Sequence, residues 1–213
     1  MRFLLVVTMI VALLAAGCGK KADQEAQVTP QMTEDEVICQ KASAELISRF
    51  SKDLKTALLS AMSEGGPTNA ISVCKTKAPE VAAAYSASEF VTIMRVTDKN
   101  RNPENLADSA QMEVLATFAN LADSSTLVHG RFADVEGGQM YTYYQGITTG
   151  QLCLKCHGGP DKIDKGAQTF LTKEYPEDKA VGYNDGDLRG MFVVEITWPQ
   201  GKEFVQSLIA DSL

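Results

Sequence analysis

Five consecutive residues in the last third of the chain have the types and the spacing of a cofactor attachment site. They are Cys153-Leu154-Lys155-Cys156-His157, a C-x-x-C-H pattern. Two thiols at this spacing can add to the two vinyl groups of one haem, and the adjacent histidine can then bind the iron. His157 is one of only two histidines in the chain. The pattern therefore predicts a single covalent haem c, held by Cys153, Cys156 and His157.

The sequence leaves three other uses of the two thiols open. A thioredoxin-like dithiol also has a C-x-x-C pattern, although it does not need the histidine. A zinc site would have to recruit Cys39 and Cys74, which are too far apart in the sequence to form a zinc knuckle. A disulfide between Cys153 and Cys156 would close a short, strained loop.

The second axial ligand of such a haem is open when only the residues are considered. Cys74, Cys39, His129 and the methionines all carry donor atoms that haem iron accepts. His129 lies in a predicted strand, where a histidine is more often an ordinary surface or core residue. Cys39 and Cys74 could instead pair as a disulfide in an oxidising compartment.

The N-terminus predicts export from the cytoplasm, where covalent haem attachment does not take place. Residues 3–16 are almost all apolar and are too few to span a bilayer, which is typical of a signal peptide. The run ends in AAGC, which resembles a bacterial lipobox with Ala15 in place of the usual leucine. We therefore expect residues 1–17 to be a lipoprotein signal peptide and Cys18 to be lipidated. Ordinary cleavage after Ala16 or Gly17, without lipidation, is the alternative.

The residues after Cys18 predict a tether and a compartment. Gly19, rather than an aspartate, favours a periplasmic protein anchored to the outer membrane over one retained at the inner membrane. Residues 18–33 are mostly polar and should form a flexible tether. The chain has 27 acidic and 20 basic residues, and the resulting net charge of -7 argues against a nucleic-acid partner.

Hydrophobic periodicity and turn residues predict one α+β domain over residues 34–213. Thr33 and Glu36 form a capping box ahead of a long helix, which should end near Ser63 at a Gly-Gly-Pro sequence. The other predicted helices are 69–77, 79–87, 103 to about 122, 167–172 and 204–210, and the predicted strands are 90–96, 126–135, 139–147 and 188–198. The strands should form one antiparallel sheet with the helices packed on one side.

Four stretches of the sequence, in this order, resemble one family. They are AISVCKTKAPEVAAAYS, RVTDKNRNPEN, CLKCHG and YPEDKAVGYNDGDLRG. Over most of the predicted domain the chain is therefore similar to a c-type haem family with a PAS-like fold, first catalogued as a domain of unknown function. Members of that family occur alone and as the periplasmic sensor part of histidine kinases.

The resemblance implies a PAS-like antiparallel sheet with a long N-terminal helix, one covalent haem, and histidine and cysteine as the axial pair. The family's distal cysteine precedes an Ala-Pro dipeptide, which makes Cys74 the implied partner of His157. Arginine can pair with a haem propionate through two parallel hydrogen bonds. The candidates are Arg95, Arg101, Arg131 and Arg189. The resemblance favours Arg101 and Arg189, because both lie in matching stretches.

We expect a mono-haem periplasmic cytochrome that transfers single electrons or senses redox poise. Its partner would be a redox protein or an enzyme of the quinone pool, and the lipid anchor would hold it at a membrane. The alternative is a haem-based sensor of NO or CO that acts through a partner protein. An enzyme such as a peroxidase is not expected, because no distal acid–base pair stands out in the sequence.

Overall fold

The described part of the chain, residues 32–86, 89–121 and 127–211 of a computed structural model, contains five α-helices and four strands. The predicted signal peptide, Cys18 and nearly all of the tether lie outside the described residues. No helix in the described ranges is long and apolar enough to cross a membrane. The elements are α1 (Glu34–Tyr85), β1 (Val91–Val96), α2 (Ser109–Ala119), β2 (Val128–Val135), β3 (Gly138–Thr148), α3 (Gln151–His157), α4 (Lys165–Glu174), β4 (Leu188–Trp198) and α5 (Lys202–Ala210).

The four strands form one antiparallel sheet in the order β1-β4-β3-β2. The long strands β3 and β4 lie in the middle and pair from Gln139 with Trp198 to Thr148 with Leu188. Strands β2 and β3 form the predicted hairpin, which turns at Gly137 with φ +86°. The predicted α+β class and the four predicted strands are confirmed.

Helices cover both faces of the sheet. Along β4, Val194 and Ile196 point to the face that packs against α1 and α5. Met191 and Val193 alternate with them and point to the opposite face, where α2 packs. The long helix therefore lies on one side of the sheet, but the prediction that the helices pack on one side only is wrong, because the apolar residues of α2 pack on the other face.

Helix α1 is a hairpin of two antiparallel arms, residues 34–64 and 67–85. The backbone leaves helical geometry at Gly65 and Gly66, and Gly66 adopts φ +67°, which favours glycine. The Tyr85 hydroxyl donates a hydrogen bond of 2.7 Å to Asp53, 32 residues earlier. In a straight helix these residues would be about 48 Å apart at 1.5 Å per residue. The predicted end of the first helix is therefore confirmed.

Two predicted helix boundaries are wrong. The second arm passes through Pro79 without interruption, because apolar residues after the proline pack against the core and outweigh the lost backbone hydrogen bond. Helix α2 begins at Ser109 rather than at Pro103. Asp108 and Gln111 form a capping box there, with a hydrogen bond of 2.8 Å from the Gln111 amide to the Asp108 carboxylate. Pro103 begins only a single 3-10 turn.

Replacing Phe50 with alanine should destabilise the domain more than any surface substitution on α1. The Phe50 side chain is 1% exposed, and its ring packs edge-on against Tyr85 of the second arm and Phe192 of β4. We expect Phe50→Ala to lower the free energy of unfolding by about 3–5 kcal/mol, measured by urea denaturation. Leu59→Ala is the matched control, because Leu59 is 46% exposed on the same helix and should cost at most about 0.5 kcal/mol. Equal costs for the two variants would contradict the hairpin packing.

Candidate functional site

The C-x-x-C-H motif forms the short helix α3, directly after the central strand β3. Cys153 and Cys156 are three residues apart on this helix, so their side chains lie one turn apart on the same face. Both thiols are half-buried and free. Gly158 follows the helix because a side chain there would meet the Leu154 carbonyl at 2.6 Å.

The loop before β4 holds the end of α3 through backbone hydrogen bonds. The Tyr183 amide donates to the His157 carbonyl at 3.0 Å, and the Gly182 amide donates to the Gly158 carbonyl at 2.9 Å. A third contact of the same loop is made by Ala180, whose carbonyl accepts from the imidazole of His157. The loop therefore fixes both the backbone and the ring of His157.

The His157 imidazole is prepared to bind a metal through Nε2. Its Nδ1 lies 2.7 Å from the Ala180 carbonyl oxygen, which can only accept, so the proton is on Nδ1. Burial lowers the pKa of His157 well below its usual value, and the charges of Arg101 and Arg189 lower it further. The ring is thus neutral with the Nε2 lone pair free, which is the state of a metal-ligating histidine.

Arg101 joins the motif to the loop. Its Nε and Nη2 both lie 2.9 Å from the Asp178 carboxylate. Its Nη2 also donates to the Cys156 carbonyl at 2.7 Å and lies 3.4 Å from the Ala180 carbonyl. Nη1 makes no hydrogen bond within the described residues, so the predicted contact of Arg101 with a haem propionate stays a prediction.

Arg189 carries an unpaired donor near the same histidine. Its Nη1 donates to the Thr97 hydroxyl at 3.2 Å, and its guanidinium stacks over the Tyr183 ring at 5.2 Å from the centroid. Its Nε is buried and has no hydrogen-bond partner in the described part of the chain. A buried donor of this kind suits an anionic group. The predicted role of Arg189 toward a propionate is consistent with this position and stays a prediction.

Cys74 lies on the second arm of α1, which packs beside the motif. Ile71, one turn earlier, belongs to a cluster with Ile163 and Leu171, and Cys156 borders the same cluster. Burial raises the pKa of the half-buried Cys74 thiol, while the guanidinium groups of Arg95 and Arg101 oppose that shift. The structure therefore brings Cys74 into the neighbourhood of Cys156.

Cys39 and His129, two of the other predicted candidates, lie elsewhere. Cys39 is fully buried in the main core, where desolvation raises its pKa to about 12, and it is not bonded to Cys74. His129 is exposed on β2 and stacks on Tyr144, its partner across the hairpin. Tyr144 packs with the α2 cluster, so His129 lies on the sheet face opposite to α1 and Cys74.

The alternative uses of the two motif thiols find little support. Within the described ranges no group of three or more His, Cys, Asp or Glu side chains could hold a metal ion. A reactive dithiol needs a lowered thiol pKa, whereas burial raises the pKa of Cys156. Cys153 and Cys156 are not joined to each other.

The sequence profile of a family described as Tll0287-like matches residues 21–197. The chain belongs to this family. The fold is similar to that in the crystal structure of the cyanobacterial heme-protein Tll0287, with a TM-score of 0.53 and 23% sequence identity. That match covers 78% of this chain and 98% of the other. No curated protein matches the sequence.

Membership of the Tll0287-like family confirms the resemblance carried by the four sequence stretches, and the fold agrees with the predicted PAS-like architecture. Sequence reasoning missed two site residues in the last of those stretches. Ala180 acts through its backbone carbonyl, and a backbone role cannot be inferred from the residue type. Asp178 acts through its pairing with Arg101, 77 residues away. The only signal for either was that both lie inside a stretch that matches the Tll0287-like family.

Proposed function

We propose that this chain is a mono-haem c-type cytochrome domain that transfers single electrons or senses redox poise. The observation that carries the proposal is the state of His157 at the end of α3. Its Nδ1–H is held by the Ala180 carbonyl and its Nε2 is free, next to two half-buried thiols one helical turn apart. The known haem protein with a similar fold supports the proposal.

The donors present fit a covalent haem. Cys153 and Cys156 would form the thioethers, and His157 would bind the iron through Nε2. Cys74, on the neighbouring arm, would supply the opposite axial ligand, as the family resemblance implies. Arg189, with its unpaired buried Nε, and Arg101, through Nη1, would meet the propionates.

The bound haem would supply reversible one-electron chemistry, and the protein would supply position and electrostatics. The positive charges of Arg95, Arg101 and Arg189 lie close enough to lower the pKa of the half-buried His157. The charges of Arg95 and Arg101 also favour a thiolate at Cys74 and would offset its negative charge. We propose that the domain exchanges electrons with a redox protein or a quinone-pool enzyme and performs no catalysis of its own.

The absorption spectrum of the purified protein tests this proposal directly. Oxidised and reduced spectra should show haem bands, and the pyridine haemochrome should show the c-type band. Acid-acetone extraction should leave the colour on the protein, because the thioethers hold the haem covalently. A protein that matures without haem in a host with cytochrome c assembly would overturn the proposal.

A sensor of NO or CO is the second candidate, and one observation favours it. The net effect on Cys74 is a raised pKa, because burial outweighs the neighbouring arginines and favours the neutral thiol. A neutral thiol is a poorer ligand than a thiolate and would leave the site more readily. Adding CO to the reduced protein separates the two candidates, since only the sensor should bind CO.

We also propose a lipid anchor at Cys18, which would place the domain in the periplasm at the outer membrane. The apolar run of the signal sequence ends just before this cysteine. Mass spectrometry of the N-terminal peptide should find Cys18 as the first residue, carrying lipid. A free amino group on residue 17, 18 or 19 without lipid would show a soluble protein instead.

A further inference from the structure

The Arg101–Asp178 pair is the least exposed ion pair among the described residues. Its side chains are 11% and 10% exposed, and every other pair there is exposed by at least 28% on both sides. The free energy needed to remove two charges from water is often larger than the free energy that their attraction contributes. A buried pair of this kind therefore suggests a role in positioning rather than in overall stability.

The pair holds both polar backbone atoms of Ala180. The Oδ1 atom of Asp178 accepts from the Ala180 amide at 2.8 Å, while Oδ2 accepts from Arg101. The Nη2 atom of Arg101 lies 3.4 Å from the Ala180 carbonyl oxygen and 2.7 Å from the Cys156 carbonyl oxygen. The same Ala180 oxygen is the acceptor for Nδ1 of His157 at 2.7 Å.

We propose that Arg101 and Asp178 are positioning residues for His157. They orient the Ala180 carbonyl, and that carbonyl selects the Nδ1–H tautomer, which leaves Nε2 without a proton and able to bind a metal. The planar fork of Arg101 contacts Asp178, Cys156 and Ala180 together, which lysine cannot reproduce. The inference about the His157 tautomer does not depend on a cofactor. The effect of the tautomer on a redox potential rests on the proposed function.

The tautomer can be measured on the full chain produced without haem. A long-range proton–nitrogen NMR correlation distinguishes Nδ1–H from Nε2–H, and His129→Gln assigns the signals because the chain has only two histidines. In the wild type, His157 should be the Nδ1–H form. In Arg101→Gln and Asp178→Ala, the ratio of Nδ1–H to Nε2–H should fall about fivefold, the effect of weakening one ordinary hydrogen bond.

Arg49→Gln is the matched control, because it breaks the ion pair with Glu45 on the first arm of α1. It should leave the tautomer unchanged. Thermal unfolding of each variant shows whether it is folded, and Arg101→Lys and Asp178→Asn are the milder variants to measure if the others are not. A wild-type His157 in the Nε2–H form, or an unchanged tautomer in the folded variants, would overturn the inference.

The potential of the haem-bearing protein gives a second measurement. A carbonyl that accepts from Nδ1–H increases the electron density on Nε2 and favours ferric iron. The midpoint potential should therefore rise in Arg101→Lys, which keeps the positive charge but loses the planar fork, and should stay unchanged in Arg49→Gln. An unchanged potential beside a changed tautomer would overturn the redox consequence alone. A wild type without haem would overturn the proposed function and leave the tautomer result standing.

Discussion

Changing Cys153 and Cys156 together to alanine should abolish covalent haem. In the proposed cytochrome each thiol would form one thioether, so the double variant should keep His157 and the fold of α3 but have no covalent bond to a haem. After expression with a cytochrome c assembly system, the pyridine haemochrome of the extracted protein should fall to background. Haem staining of a denaturing gel should be negative at the position of the chain.

Cys39→Ala is the control for this variant. Cys39 is a free thiol in the same chain, but it is fully buried in the main core, away from α3. It should keep a full haem content, with at most a modest loss of stability from the smaller side chain. A double variant that matures with its full haem content would show that the motif is not the attachment site.

Much of the fold could be predicted because the deciding signals are local. The strand Leu188–Trp198 was predicted with its observed bounds, since nearly all residues from 191 to 198 are apolar or β-branched and turn residues flank the strand. The end of the first arm near Gly66 was also predicted, because a Gly-Gly-Pro sequence rarely continues a helix. The helix break predicted at Pro79 is wrong, because contacts between residues distant in the sequence stabilise the second arm.

The site was predictable only where side chains carry the chemistry. The residue types and the spacing of Cys153, Cys156 and His157 indicate a haem attachment motif. The acceptor that fixes the tautomer of His157 is the backbone oxygen of Ala180. Every residue has such an oxygen, so the alanine side chain gives no indication of this role. Arg101 was noticed for its charge, but its three partners come from α3 and from the loop before β4, and only the folded chain brings them together.

Replacing Cys74 should change the iron's ligand field and its potential. If Cys74 is the second axial ligand, its thiolate stabilises ferric iron, so the wild-type potential should lie well below that of a cytochrome with histidine and methionine ligands. Cys74→Ala should lose the low-spin ferric spectrum and bind added imidazole or CO more readily. Cys74→His should remain low-spin, and its potential should rise because a neutral imidazole replaces an anionic ligand.

The chain carries a control for two of the alternative ligands, Cys39 and His129. Cys39→Ala removes a thiol from the core and should leave the spectrum and the potential unchanged. His129→Ala removes the second histidine, which is exposed on the sheet face opposite to α1, and should also change nothing. If Cys74→Ala is spectrally silent while His129→Ala turns the haem high-spin, His129 is the ligand. The proposed role of Cys74 as the second ligand would then be wrong.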